Sequence, residues 1–281
     1  MENAELQKLH KLELEIAAEI RRICEKYRIR YFMIAGTLLG AVRHGGFIPW
    51  DEDMDFGMLR ADFDSFIAAC QEELDQEKYF LQTSETDPGY TYAFAKIRLN
   101  GTRIVEGLSE EAAAHQGIFV DIFPFDHVPE NRILRRLHER ERYVWKNLLA
   151  VKLGYHNGQK RAKSLQKLLG AAAVVLPVGF IRKQKDRAFT RYNARQTKTV
   201  VTAEGSYRYY REMIPYRWTQ KLCRMPFEDT EFFTFAAYDT YLKEMYGDYM
   251  ELPPEEQRNK HAVLEVDFGH YAETELEGKR E

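Results

Sequence analysis

Residues 49–57 read PWDEDMDFG, and Asp51, Asp53 and Asp55 stand at every second position. That period predicts a strand over Phe47–Met58 with all three carboxylates on one face and Met54 and Phe56 in the core. Carboxylates crowded on one face repel, and taking them out of water is costly unless a cation offsets the charge. Hard oxygen ligands at this spacing suit Mg²⁺ or Mn²⁺, held by one or two carboxylates together with substrate phosphates. The plain alternative is a solvated acidic turn, so the surrounding sequence has to decide.

Upstream, Tyr31–Ala35 (YFMIA) is a short apolar run broken by Gly36, which predicts a buried strand entering a turn. Thr37–His44 then reads as a short helix closed by Gly45-Gly46. Backbone amides at Gly36 and Thr37 are placed to cradle phosphate oxygens, and Arg43 and His44 are further phosphate candidates. Downstream, IFVDIF at 118–123 predicts another buried strand ended by Pro124, with Asp121 in its middle. A third acid on a neighbouring strand completes a metal site or takes a proton from an attacking hydroxyl.

Outside these segments, Leu6, Leu9, Leu12, Ile16, Ile20 and Ile23 mark an amphipathic helix over 5–27, and Asp62–Leu74 marks a second. Tyr92–Leu99 and Thr102–Val105 flank Asn100-Gly101, a strong hairpin signal. Lys96 and Arg98 alternate on the first of these strands and point to a diphosphate. The alternation of helix and strand predicts a mixed α/β (α+β) core over 30–126. A basic helical insertion over 131–200 and a C-terminal elaboration over 201–281 follow, in which Phe232–Tyr246 reads as a helix stopped by Gly247. No repeat or linker divides the chain, so 1–281 is read as a single domain.

The 281 residues are 44% apolar and 30% charged, which excludes a disordered, collagenous or coiled-coil chain. A net charge of −3 gives no general pull towards nucleic acid, but it hides two opposed regions. Arg132–Lys198 holds 18 Lys or Arg against three acids, and Asp248–Glu281 holds ten acids against four bases. Cys24, Cys70 and Cys223 fit neither a disulfide framework nor a zinc site, which suggests a reducing compartment. With no apolar leader, the expected location is cytoplasmic. Residues 168–181 (LLGAAAVVLPVGFI) carry no charge between basic flanks. They read either as a buried helical hairpin or as a peripheral membrane patch within 160–187 on the inner face of the cytoplasmic membrane.

GTLLGAVRHGGFIPWDEDMDFGMLRADFDSF at 36–66 closely resembles the LicD family, as do FAKIRLNGTRIVE at 94–106, GIFVDIFPFD at 117–126 and YLKEMYGDYMELPPEEQRNKH at 241–261. The resemblance implies a polymerase-β-like nucleotidyltransferase core. It also implies a metal-dependent transferase that moves a phospho-alcohol, phosphocholine from CDP-choline in the first instance, onto a glycan or glycolipid hydroxyl with release of CMP. Fukutin-related relatives use CDP-ribitol. Carried over by position, Asp53, Asp55 and Asp121 form the metal and catalytic set, with Asp121 taking the hydroxyl proton and Asp51 as accessory acid. Glu52 stands where the family often has Asp; by alternation it points away from the Asp face. Lys260-His261 falls in a family block and is a weaker substrate candidate. Trp50, Tyr90, Tyr92, Tyr207, Tyr209 and Tyr210 are candidates for a quaternary-ammonium cage. Two other readings remain at this level: a nucleotidyltransferase acting on RNA or protein, and a non-catalytic membrane-associated assembly protein.

Overall fold

The computed structural model describes residues 3–107, 110, 112–155, 175–258 and 263–272. In chain order, the first half holds helix α1 (Asn3–Tyr27), strand β1 (Phe32–Met33), α2 (Ala35–His44), β2 (Asp55–Leu59) and α3 (Arg60–Glu73). Strands β3 (Tyr79–Gln82), β4 (Ala95–Leu99), β5 (Arg103–Glu106) and β6 (Phe119–His127) follow. The second half holds α4 (Arg132–Lys152), α5 (Val178–Thr190), β7 (Thr199–Thr202), β8 (Met213–Pro215) and a single turn, α6 (Tyr216–Thr219). It closes with β9 (Leu222–Phe227), β10 (Thr230–Phe235), α7 (Tyr238–Tyr246) and β11 (Val263–Asp267).

A mixed sheet in the order β1-β2-β6-β4-β3 forms the centre, with β7 and β8 added beside β6. Strand β6 organises it. One edge pairs in parallel with β2; the other pairs antiparallel with β4 along its first half and with β7 along its second. Pro124 therefore does not end this strand, contrary to the sequence expectation. Asp121 sends its N–H to Met54 of the β2 side, so by alternation residue 124 would face the other edge, in the gap between β4 and β7. A missing donor costs nothing there, and the Pro124 carbonyl still accepts from the Ala203 amide at 3.0 Å.

The apolar stripe of α1 is buried as its spacing predicts, Leu6 through Ile23 included, and the helix packs on α3, β4 and β6. Each fully buried Leu or Ile contributes about 1.5–3 kcal/mol by leaving water, which ties this terminal helix to the sheet. Helix α2 ends where expected, with Gly45 in the left-handed cap at φ 78°. Helix α4 is capped by Asn131, whose side chain accepts from the amides of Ile133 and Leu134. Arg60 and Asp126 form a buried two-pronged pair, both contacts at 2.9 Å, that fastens the start of α3 to β6.

Other expectations need correction. The strand at 47–58 is only Asp55–Leu59; Asp51 and Asp53 lie in the irregular segment before it, so the three acids do not share one strand face. Asn100-Gly101 does turn the chain, with Gly101 at φ 75°, but β4 and β5 do not pair. Both edges of β4 are already taken by β3 and β6, and β5 pairs instead with β11. Residues 232–235 belong to the β9–β10 hairpin, and only 238–246 are helical before Gly247. Strands β3, β7 and β8 were not foreseen, and the last two carry the sheet well past residue 126. Residues 168–174 and Lys260-His261 lie outside the described residues. Among the described residues, no helix is long and apolar enough to cross a membrane.

Gly57 lies where β1, β2 and β6 meet. A Cβ there would come within 2.4 Å of the Phe32 ring and 2.7 Å of the Phe125 ring. Gly57→Ala is expected to destabilise the protein by about 1–3 kcal/mol through overpacking, read as a lower denaturant midpoint; an unchanged midpoint would contradict this packing.

Candidate active site

The parallel register of β2 on β6 sets Asp55 opposite Asp121, and the antiparallel register of β4 sets Lys96 opposite Asp121 from the other side. The Lys96 ammonium lies 2.8 Å from Oδ1 and 3.0 Å from Oδ2 of Asp121, and 3.2 Å from the centre of the Phe119 ring. Glu106 approaches the same ammonium at 3.9 Å. Three of the sequence-derived candidates thus meet at one buried place. Burial pushes the Asp121 carboxyl up to about 7, against the opposing pull of Lys96. Asp55 is held well above the carboxylate range, first by burial and then by Asp53, Asp121 and Asp51.

The α2 entrance braces these acids. Thr37 Oγ1 accepts the Asp55 amide at 2.7 Å, and the Ile34 amide donates to the Asp55 carbonyl. Ala35 stands at φ 47°, a left-handed conformation that costs a residue with a Cβ about 1–2 kcal/mol. Its amide donates to Tyr241 Oη at 3.1 Å, which helps to hold that bend. A Cβ on Gly36 would fall 2.4 Å from Asp51 Oδ2, so glycine there admits the Asp51 carboxylate to the N-terminal turn of α2. Asp51 is fixed on its other side by His10, whose Nε2 lies 2.7 Å from the Asp51 carbonyl oxygen.

Other candidates lie elsewhere. Arg43 and His44 occupy the far turn of α2, about 10 Å along the axis from Gly36 at 1.5 Å per residue. Arg43 donates to the carbonyls of Tyr249 and Glu251, and its guanidinium lies 6.0 Å from the Trp50 ring. Arg258 covers Trp50 at 4.6 Å and His44 meets its edge, so Trp50 already has cationic neighbours. Arg98 follows Lys96 on the same strand face but is bound to Gln82 Oε1 at 2.6 Å and the Gly117 carbonyl at 2.5 Å. Tyr90 and Tyr92 join an aromatic chain through Phe94 to Phe123.

Sequence reasoning missed Glu13. It sits on α1 within the apolar stripe, 1% exposed, and its Oε2 has no hydrogen-bond partner. Burial, then Asp53, Asp51, Asp55 and Asp121, hold its carboxyl well above the usual range. The available signal was an acid in the buried phase of the helix, between Leu9 and Ile16. Glu212 and Tyr241 were also missed and had no comparable signal: they reach the site through the loop after β7 and through α7.

Carboxylate oxygens are the hard ligands that divalent cations take, and the β2–β6 register brings those of Asp55 and Asp121 to neighbouring strands. Among the described residues, no three His, Cys, Asp or Glu side chains are arranged so that they could hold a metal ion as they stand. Asp121 is turned to Lys96 instead.

The family model described as LicD/FKTN/FKRP, nucleotidyltransferase domain, matches residues 28–148. The lipopolysaccharide cholinephosphotransferase LicD of Haemophilus influenzae is 30% identical over 261 residues, which cover 90% of this chain and 94% of that protein. Human ribitol 5-phosphate transferase FKRP is 44% identical over 48 residues, 17% of this chain and 10% of that protein. An uncharacterized Rickettsia prowazekii protein, RP689, is 42% identical over 48 residues, 17% of this chain and 18% of its own length. The chain belongs to the LicD family.

Without metal, Glu13, Asp55 and Asp121 hold protons in the folded state that the unfolded chain releases. Their contribution to stability is complete below about pH 4 and is lost as pH rises through their raised folded values, about 7 for Asp121. Asp55→Asn and Glu13→Gln are therefore expected to gain stability over wild type as pH rises from about 5 to about 8, measured by metal-free chemical unfolding. Parallel stability curves would contradict the mutual repulsion.

Proposed function

We propose that this protein is a metal-dependent transferase that moves phosphocholine from CDP-choline to a hydroxyl of a cell-surface glycan or glycolipid precursor and releases CMP. The pairing of Asp55 with Asp121 beside Lys96 carries this reading, in a chain similar along most of its length to a lipopolysaccharide cholinephosphotransferase. We read the sheet as a polymerase-β-like nucleotidyltransferase core, in keeping with the description of the matching family model.

Asp53 and Asp55, with Asp121 beside them, would hold Mg²⁺ or Mn²⁺. A cation held by these residues would supply charge neutralisation for a diphosphate and its departing CMP. Asp121 takes the proton of the acceptor hydroxyl as the new O–P bond forms and the bond from that phosphorus to the bridging oxygen breaks. A carboxylate positioned beside the acceptor suits this role as general base. Lys96 holds Asp121 in place and keeps a positive charge beside the phosphate. Gly36 and Thr37 set the α2 N-terminus next to the acids, and its amides supply further anion stabilisation.

On the α5 flank, Val175 and Phe180 are exposed at 79% and 45%, next to Arg182 and Lys183. This arrangement supports peripheral contact of 160–187 with an anionic membrane surface at the cytoplasmic face.

The test is transfer from CDP-choline labelled separately in the choline and in the cytidine, with a glycan acceptor and Mg²⁺. The choline label is expected in the product and the cytidine label in CMP. Asp53→Asn and Asp55→Asn should each lower transfer by at least about a hundredfold, as removal of a charge-stabilising group does, while the fold persists. Cytidine label in the product would instead show nucleotidyl transfer, and full activity in either variant would refute the site.

A further inference from the structure

A cavity of about 60 Å³ opens beside Asp55, lined by Phe123, Phe125, Tyr207, Tyr241 and Glu212. A water needs about 10–15 Å³ measured this way, so the cavity has room for roughly four or five such groups, the size of a trimethylammonium head. It shares Thr202, Tyr207 and Glu212 with a cleft of about 590 Å³ lined by Arg142 and Lys146, which gives it an approach.

Its chemistry is specific. Glu212 is 8% exposed, accepts the Tyr207 amide, and makes no ion pair among the described residues. The half-buried Asp55 also lines the cavity. Aromatic rings and Met245 complete the lining, and Arg211 backs the Tyr207 ring at 4.2 Å. A small hydrated cation would find too few oxygens against these rings. A polyol would meet mostly apolar walls. A quaternary ammonium needs no hydrogen bonds, prefers aromatic faces and is compatible with the Glu212 carboxylate on the wall.

We propose that this cavity is the subsite for the quaternary ammonium head of the donor, bounded by Phe123, Phe125, Tyr207, Tyr241 and Glu212. The assignment rests on the donor reading above. It also accounts for placement: only an oxygen and two carbons separate the nitrogen of choline from its phosphorus, and Asp55 borders both the cavity and the acid pair.

Calorimetric titration of the whole protein with CDP, CDP-ethanolamine and CDP-choline, each with Mg²⁺, tests the proposal. CDP-choline is expected to bind about tenfold more tightly than CDP-ethanolamine, the scale of a cation held on ring faces. Glu212→Gln and the half-exposed Tyr207→Leu should each collapse that preference and leave CDP affinity unchanged. A preference that survives both substitutions, or a loss shared equally with CDP, would overturn the subsite while the donor reading stands. Failure of CDP and CDP-choline alike to bind would overturn the donor reading and this one with it.

Discussion

The parallel pairing of β2 with β6 brings the buried Asp121 and the half-buried Asp55 to neighbouring positions, and much of the surrounding structure answers the charge that results. Strands sit about 4.8 Å apart, and two like charges at ~5 Å repel by about 3 kcal/mol at an effective dielectric near 20. That is a sizeable share of the roughly 5–15 kcal/mol that stabilises a typical domain. Lys96 from β4 meets part of it by closing on Asp121. Burial first, and neighbouring acids after it, hold Asp55 and Asp121 above the usual carboxylate range.

The rest of the fold holds this arrangement against its own repulsion. Helix α1 covers the sheet and brings Glu13 as a further acid. Helix α2 contributes Thr37 to the Asp55 amide and, through Gly36, accommodates Asp51. The Arg60–Asp126 pair fastens the far end of β6 to α3. A buried pair of this kind adds little net stability compared with apolar packing, but losing one partner is costly, so it favours one register. On the opposite flank, Lys185 and Glu204 pair at 2.8 Å and tie α5 to the segment that leads into Tyr207 and Glu212.

Local patterns in the sequence revealed much of this. The apolar stripe of α1, the Gly45 cap and the buried strand around Asp121 were legible because each depends on spacing within a few residues. The two acids that meet across strands, Asp55 and Asp121, were both picked out, although the strand assumed to carry Asp51 and Asp53 was too long. What stayed hidden depends on partners distant in the chain. Nothing near residue 124 announces that its two edge partners leave a gap for proline, and nothing near Asn100-Gly101 shows that β4 is already paired on both sides. Glu212 and Tyr241 reach the acid cavity only through the packing of the last hundred residues.

The proposal most exposed to test is that Asp55 and Asp121 on this pair of strands hold a divalent cation. Calorimetric titration of Mn²⁺ or Mg²⁺ into the wild-type protein, Asp55→Asn and Asp121→Asn tests it without any acceptor. A single saturable site in wild type, weakened by at least about tenfold in each variant, is the result the account predicts. Absence of binding in the wild type, or binding unchanged by both substitutions, would contradict it.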